Sequence, residues 1–153
     1  MRVPPPSRPP GLEEAGASLL IYAARLNRSV IQDAATGVPA AMLRLLSRLD
    51  ELAPVGVSEL AKADGCSQPT ISSAVQHLVE KGWAVKTPNP RDARGALVEL
   101  TDEGARVLDG ARRDNGAVIA NRLEADPCHG LTEIEAAVVL LRHLLEPTDR
   151  ESS

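Results

Sequence analysis

The sequence predicts a mainly α-helical fold in which a β-hairpin directly follows a pair of short helices. Apolar residues recur at intervals of three and four along most of the chain, as they do on one face of a helix. Around residues 83–88 and 96–100 the interval changes to two, which is typical of strands. A tight, glycine-bearing turn at residues 64–65 separates the two short helices. This order predicts a helix-turn-helix followed by a wing.

Two helices are predicted before that unit. The first begins at Leu12 and ends before Gly37. The second has Pro39 in its first turn, where the backbone N–H that proline lacks would have no helical partner, and it ends before Pro54. Residues 55–57 form a short strand-like segment ahead of the helix-turn-helix.

Caps and breakers predict the bounds of the two short helices. Ser58 can cap the first, and Gly65 can end it in the left-handed conformation. Ser67 can cap the second, Pro69 is tolerated in its first turn, and Gly82 ends it. The apolar face of this second helix consists of Ile71, Ala74, Val75, Leu78 and Val79.

The hairpin and two further helices complete the predicted fold. Turn-forming residues at 89–92 separate the two strands. Thr101 can cap a long helix, which residues 126–127 (Asp-Pro) break. A capping box between Thr132 and Glu135 is predicted to open the last helix.

Composition limits the classes of function. The length of 153 residues favours a single domain, and the net charge of −4 argues against a simple polybasic binder of nucleic acids or membranes. One tyrosine and one tryptophan are too few for a platform that stacks single-stranded bases. The chain shows no long apolar run, no secretory signal and only two cysteines. We therefore expect a cytoplasmic protein without a membrane partner, disulfide framework, metal or cofactor.

The charge is distributed unevenly along the chain. Residues 95–153 carry six arginines and twelve acidic residues, whereas all three lysines lie within residues 58–94. This asymmetry permits a positive face on an acidic protein.

Three motifs carry a resemblance to a known family. Residues 92–104 contain Asp-x-Arg, an alternating strand and Leu-Thr-x-x-Gly. Residues 67–72 are Ser-Gln-Pro-Thr-Ile-Ser, and residues 81–83 are Lys-Gly-Trp. In this order they resemble the wing signature, the start of the recognition helix and the helix-to-wing junction of the MarR family of bacterial transcription regulators. The resemblance extends from Leu12 to Glu146.

The resemblance implies a winged helix-turn-helix whose long N- and C-terminal helices form a dimerisation lobe. The implied organisation is a disordered Pro-rich tail (1–11), a single MarR-like domain (12–146) with a DNA-binding lobe (38–101) and a helical dimerisation lobe (12–36 and 102–146), and a disordered tail (147–153).

The implied partner is double-stranded DNA, with the recognition helix, residues 67–81, in the major groove and the wing, residues 88–96, in the minor groove. Short polar side chains suit a helix that lies deep in a groove, and Gln68 can bind adenine through two hydrogen bonds. Arg94 has the charge to enter a minor groove, and the resemblance implies that Asp92 orients it. The candidate DNA-binding residues are Ser67, Gln68, Thr70, Ser72, Ser73, His77, Lys86, Arg91, Asp92 and Arg94.

Several of these candidates have an alternative role. Ser67 can serve as a helix cap alone, and Lys86 and Arg91 can be ordinary solvated charges. His77 is typical of a helix surface, although it stands one turn after Ser73, where many members of the family have arginine.

Apolar stripes on the first and last helices would be exposed on a monomer, and such exposed surface usually marks an interface. The resemblance implies a twofold dimer that binds a pseudo-palindromic operator and represses neighbouring genes. It also implies a small phenolic or other aromatic anion as an effector that releases the DNA. The predicted dimer residues are Leu12, Leu19, Tyr22, Ile134, Val138, Leu141 and Leu145.

Other classes of function stay open at this point. An enzyme would need a nucleophile beside a base, or a metal cluster, yet the three histidines are far apart and residues 128–129 (Cys-His) lack further zinc ligands. A winged-helix protein-interaction module would not need Arg91 and Arg94. The helix dipole can lower the pKa of Cys66, although a buried structural role is the alternative for both cysteines.

Overall fold

The computed structural model describes residues 11–34, 36–92, 95–126 and 128–146. It confirms a mainly α-helical winged helix-turn-helix. The predicted tails lie outside the described residues, except for Gly11. The elements in chain order are α1 (Leu12–Asp33), α2 (Ala40–Leu52), β1 (Val55–Gly56), α3 (Val57–Asp64), α4 (Gln68–Glu80), β2 (Ala84–Pro88), β3 (Ala96–Leu100), α5 (Asp102–Glu124) and α6 (Leu131–Leu145).

The three strands form one antiparallel sheet in the order β1-β3-β2. Val98, in the middle of β3, pairs with Val55 on one side and with Lys86 on the other. Because Val98 is fully buried, it anchors the wing to the hydrophobic core.

That core joins α2, α3, α4 and the sheet. Large side chains from each of these elements have almost no exposed surface, so the helices cannot slide relative to one another without opening cavities. The largest fully buried side chains are Leu46, Leu49, Leu60, Val75, Leu78 and Val98.

The chain divides into two compact units, residues 1–115 and 116–153, with the boundary inside α5. The first unit contains α1, the winged helix-turn-helix and the first part of α5. The second contains the remainder of α5 and α6, and none of the described residues of α6 is buried. Among the described helices, none combines the length and the apolarity that a membrane crossing requires.

Three of the predicted helix starts are displaced by one or two residues. Pro39 is the N-cap of α2 and not a residue of its first turn. Helix α3 begins immediately after β1, so Gly56 is its N-cap and Ser58 is not. Because α6 already begins at Leu131, Thr132 lies inside its first turn and cannot cap it.

At two of these starts the N-cap is a glycine, and a glutamate carboxylate three residues later accepts a hydrogen bond from its backbone N–H. Glu59 accepts a hydrogen bond from the N–H of Gly56 at 3.4 Å, and Glu133 accepts one from the N–H of Gly130 at 2.8 Å. The predicted capping box of Thr132 and Glu135 is therefore wrong. A glycine N-cap has no side chain, so only the glutamate half of the box is present.

Candidate nucleic-acid interface

The first turn of α4 is closed by two hydroxyl groups. The Ser67 Oγ accepts a hydrogen bond from the Thr70 N–H at 3.3 Å and lies 2.7 Å from the Thr70 Oγ1. This confirms Ser67 as the N-cap. Both side chains are exposed, so capping leaves them accessible to a groove.

Burial divides α4 into two faces. Ile71, Val75 and Leu78 are buried in the core, at the helical spacing of four and three. Side chains on the opposite side of a helix with this spacing point into solvent. The exposed polar side chains of α4 include those of Gln68, Thr70, Ser72, Ser73, Gln76, His77 and Glu80.

The turn before α4 is tied to α2 by a carboxylate. Arg44 donates two hydrogen bonds to Asp64, at 3.0 and 3.2 Å, and the Asp64 side chain is only 3% exposed. The thiol of Cys66 donates to the same carboxylate at 3.2 Å. Gly65, between them, takes the predicted left-handed conformation with φ of 66°. These contacts fix where the recognition helix begins.

The cysteines differ from the sequence-based expectation. Cys66 is half-buried and Cys128 is exposed, so neither is a fully buried structural residue. The hydrogen bond to the Asp64 carboxylate raises the pKa of the Cys66 thiol, because it stabilises the protonated form. The expectation that the helix dipole lowers this pKa is therefore wrong.

The junction between α4 and the wing is held by Thr101. The Thr101 hydroxyl donates to the carbonyl of Gly82 at 2.6 Å and accepts from the N–H of Gly104 at 3.0 Å. It thus caps α5, as predicted, and secures Gly82, whose φ of 73° lets the chain turn into β2. The ammonium of Lys81 lies 5.0 Å from the centre of the Trp83 ring.

The tip of the wing is ordered by Asn89. Its side-chain oxygen accepts a hydrogen bond from the Arg91 N–H at 2.9 Å, and its carbonyl accepts one from the Asp92 N–H at 3.2 Å. The N–H of Gly95 then donates to the Asp92 carbonyl at 3.0 Å. Arg91 and Asp92 are exposed. Arg94 lies outside the described residues.

Gln76 is an exposed polar residue of α4 that is absent from the predicted DNA-binding residues. Gln76 accepts a hydrogen bond from the Lys86 ammonium of β2 at 3.4 Å, and it donates one to the Glu80 carboxylate at 3.2 Å. The helical spacing could have identified it, because Gln76 follows the predicted DNA-binding residue Ser72 by one helical turn on the same exposed face. The contact with Lys86 depends on how the hairpin packs and is invisible in the sequence.

The predicted dimer residues lie on exposed or half-exposed surface. Leu12, Tyr22, Val138, Leu141 and Leu145 are exposed, whereas Leu19 and Ile134 are half-buried. Neighbouring apolar side chains that were not predicted are also exposed and enlarge the two patches. These are Leu20, Ile21 and Leu26 on α1, and Leu131, Val139, Leu140 and Leu144 on α6.

A cleft of about 420 Å³ lies within the first unit, between the end of α1, α2 and α5. Its walls combine apolar side chains such as Leu108 with the guanidinium groups of Arg44, Arg48 and Arg112. Each of these arginines is paired with a carboxylate, so the cleft is not strongly charged. The Asn115 Oδ1 is buried on this wall, and within the described part of the chain no group donates to it.

Comparison with known proteins agrees with this geometry. The sequence profile described as "MarR family" matches residues 39–95, from the start of α2 to the tip of the wing. The multiple antibiotic resistance protein MarR of Escherichia coli is 29% identical over 109 residues, which cover 71% of this chain and 72% of that protein. The HTH-type transcriptional repressor NicR of Pseudomonas putida is 38% identical over 64 residues, which cover 42% of this chain and 40% of NicR.

A solved structure supports the same assignment at the level of the fold. The crystal structure of a mutant MarR from E. coli complexed with operator DNA matches with a TM-score of 0.58 and 24% identity. The match covers 91% of this chain and all of that one. Residues 39–95 thus match the MarR family, and the chain as a whole is similar to DNA-binding transcription regulators of that family and shares their winged helix-turn-helix fold.

Proposed function

We propose that this chain is a cytoplasmic, dimeric repressor that binds a pseudo-palindromic operator near its own gene and releases it when a small anion binds. The observation that carries the proposal is the two-faced α4, with a buried apolar face and an exposed face of short polar side chains. A helix of this kind can enter the major groove while its other face holds it rigidly to the domain. The chain acts by binding and not by catalysis.

In the complex, the start of α4 contacts base edges and the surrounding charges contact phosphates. Gln68, Ser72 and Ser73 lie on or beside the exposed face, and His77 follows one turn later. Ser67 and Thr70 combine capping with contacts to the DNA backbone, because their hydroxyls are exposed. NicR is named a transcriptional repressor, which supports repression as the mode of regulation here.

The wing supplies the remaining contacts. The Asn89 turn directs Arg91 outward, where it binds phosphate together with Lys86. Arg94 enters the minor groove, whose negative potential attracts arginine, and Asp92 orients its guanidinium. A cationic wing of this kind has no evident purpose in a module that binds only protein.

A second copy of the chain covers the apolar faces of α1 and α6. On α6, Leu131 is 72% exposed and Leu145 is 83% exposed, and a row of such side chains is unusual on a monomer. This supports the assignment of residues 12–36 and 102–146 to a dimerisation lobe. A twofold dimer would place two α4 helices roughly 34 Å apart, about one turn of DNA.

The effector binds in the cleft between α1, α2 and α5. Leu108 and Ala111 suit an aromatic ring. Arg44, Arg48 and Arg112 are each paired with a carboxylate, but a guanidinium has five N–H donors, and those not used in the ion pairs can donate to the carboxylate of a ligand. The unpaired Asn115 Oδ1 suits a phenolic hydroxyl as donor. A hydroxybenzoate should therefore weaken DNA binding, and Arg48→Met should reduce that effect without changing affinity for DNA in its absence.

The DNA-binding proposal is tested with DNA from upstream of the gene. Fluorescence anisotropy should give an affinity that falls steeply with salt, because phosphate contacts release counterions. Arg94→Ala should weaken binding by about 1–3 kcal/mol. Arg28→Ala, which removes an exposed arginine of α1, is the matched control and should leave affinity unchanged. Equal affinity for this DNA and unrelated DNA would contradict the proposal.

The dimer is tested by sedimentation. Val138→Glu places a charge in the apolar face of α6 and should convert the protein to a monomer. Thr132→Glu, at an exposed polar position of the same helix, should stay dimeric. A monomeric wild type at micromolar concentration would refute this part of the proposal.

A further inference from the structure

Gln76 occupies a position on α4 from which a side chain can reach a base edge. It follows Ser72 by four residues and Ser73 by three, so these three side chains point to the same side of the helix. The buried residues Ile71 and Val75 face the other way. Gln76 is exposed, and it is longer than either serine.

The contacts of Gln76 determine the orientation of its amide group. An ammonium can only donate hydrogen bonds and an ionised carboxylate can only accept them. The amide oxygen must therefore face Lys86, and the amide nitrogen must face Glu80. The structure has this orientation, with 3.4 Å between the Lys86 Nζ and the Gln76 Oε1 and 3.2 Å between the Gln76 Nε2 and the Glu80 Oε1. In a flipped amide, the NH2 group would face the Lys86 ammonium, which is also a donor, and the oxygen would face the Glu80 carboxylate, which is also an acceptor.

Each end of this amide keeps one unused hydrogen-bonding position. The oxygen has a second lone pair, and the nitrogen has a second proton. One free acceptor beside one free donor is the pattern that matches the N6 amino group and N7 of adenine in the major groove. An amide held at both ends also loses less conformational entropy on binding than a free glutamine.

Lys86 reaches Gln76 from β2, the strand that leads into the wing, so the two elements proposed to contact DNA are joined at this point. Lys86 lies in β2, where its partner across the sheet is the buried Val98. The backbone from which Lys86 extends is therefore fixed to the core. Its ammonium acts as a positioning group for Gln76, in addition to any phosphate that it contacts.

We infer that Gln76 is a base-reading residue that selects an A·T pair in each half-site, and that Lys86 positions it for this role. The inference rests on the proposed function, since it requires α4 to lie in the major groove. It names a specificity contact that adds to those proposed for Gln68, Ser72 and Ser73.

The test is selection of bound duplexes from a randomised DNA pool, using the full-length protein. The wild type should enrich a motif with adenine at one defined position of each half-site. Gln76→Ala should lose the preference at that position, by roughly 10-fold in relative affinity, and keep the rest of the motif. Gln32→Ala, an exposed glutamine of α1, is the matched control and should enrich the wild-type motif.

A second variant separates base reading from a structural role. Gln76→Glu keeps the size of the side chain and an acceptor for Lys86 but removes the amide donor. The preferred base at the same position should change from adenine to cytosine, whose N4 amino group donates to a carboxylate. Lys86→Met should weaken the preference for adenine at that position, whereas Lys86→Arg, which keeps the positive charge, should retain it.

The outcomes distinguish this inference from the proposed function. A wild type that enriches no motif overturns both. A wild type that enriches a motif which Gln76→Ala and Gln76→Glu reproduce without change overturns the inference alone. Equal melting temperatures for wild type and variants, measured by circular dichroism, confirm that the differences arise from recognition.

Discussion

Gly104, in the first turn of α5, packs directly against the carbonyl group of Trp83, the residue immediately before β2. A Cβ at position 104 would overlap the carbonyl oxygen and carbon of Trp83, both of which belong to the backbone. The same segment is bonded to Thr101, whose N–H donates to the Trp83 carbonyl at 3.1 Å. The glycine of the Leu-Thr-x-x-Gly motif thus lets the first turn of α5 pack directly against the backbone that precedes β2.

Gly104→Ala should destabilise the protein, although alanine favours helices. The overlap with the Trp83 carbonyl forces the backbone to move, which costs about 1–3 kcal/mol and exceeds the gain in helix propensity. Urea unfolding should show a lower midpoint with an unchanged slope.

Gly116→Ala is the matched control for that prediction. It lies in the same helix, and a Cβ there meets no atom within 4 Å among the described residues. It should therefore stabilise by up to about 1 kcal/mol through helix propensity. Equal effects of the two substitutions would show that the contact with Trp83 is unimportant.

Thr101→Val should lower stability by about 1–2 kcal/mol. Valine keeps the shape of threonine but removes the hydroxyl that caps Gly104 and donates to the Gly82 carbonyl. Thr101→Ser retains both hydrogen bonds and should stay within roughly 0.5 kcal/mol of the wild type. Thermal unfolding measures both variants, and a wild-type stability for Thr101→Val would contradict the assigned role.

Asp64→Asn should lower the stability at neutral pH by about 1–2 kcal/mol, because it removes the negative charge that pairs with Arg44. The loss is no larger because Arg44 is largely exposed and the pair is partly screened by solvent. Burial raises the pKa of Asp64, but hydrogen bonds from Arg44 and Cys66 and the charges of Arg44 and Arg48 outweigh burial, so the pKa lies below its usual value.

The pH dependence of that loss follows from the direction of the shift. A lowered folded-state pKa means that the contribution of Asp64 is complete above its unfolded pKa, about 3.9, and disappears as the pH falls through the folded value. The difference between wild type and Asp64→Asn in urea unfolding should thus be constant near pH 7 and shrink below about pH 4. A difference that grows in acid would refute the assignment.

The pKa of His129 should lie above the ordinary value for histidine. The Asp126 carboxylate, 2.8 Å from the Nδ1 of His129, raises the pKa of the imidazole through a hydrogen bond and its charge, and Glu133 adds a smaller effect. Because the pKa is raised, any stabilisation by this pair is complete below the unfolded pKa, about 6.5, and is lost as the pH rises through the folded value.

The measurement is an NMR titration of the His129 ring. Asp126→Asn should lower the pKa of His129 markedly, and Glu133→Gln should lower it less, in keeping with the order of the causes. A pKa that is unchanged in Asp126→Asn would show that the pair does not persist in solution.

The order of the helices and strands was predictable from the sequence because its signals are local. The spacing of Ile71, Val75 and Leu78 indicates which face of α4 is buried. Ser67 and Thr101 are followed closely by the N–H groups that they cap. The predicted starts of α3 and α6 were wrong for a physical reason. Several residues within one turn can cap a helix, and the conformation of the neighbouring backbone decides which of them does.

The contacts that assemble the candidate site could not be predicted in this way. Asp64 and Arg44 stand 20 residues apart, and Lys86 and Gln76 stand 10 apart. No periodicity relates such positions, because the pairing depends on how separate elements pack.

The sequence by itself therefore determined the winged helix-turn-helix, the polar character of the outer face of α4 and the caps at Ser67 and Thr101. Only the tertiary structure decided which polar groups meet: Arg44 with Asp64, Thr101 with Gly82, and Lys86 with Gln76. The reason is that apolar periodicity and capping act between neighbours along the chain. Side-chain hydrogen bonds between elements exist only after burial of the core has fixed the distance and angle between those elements.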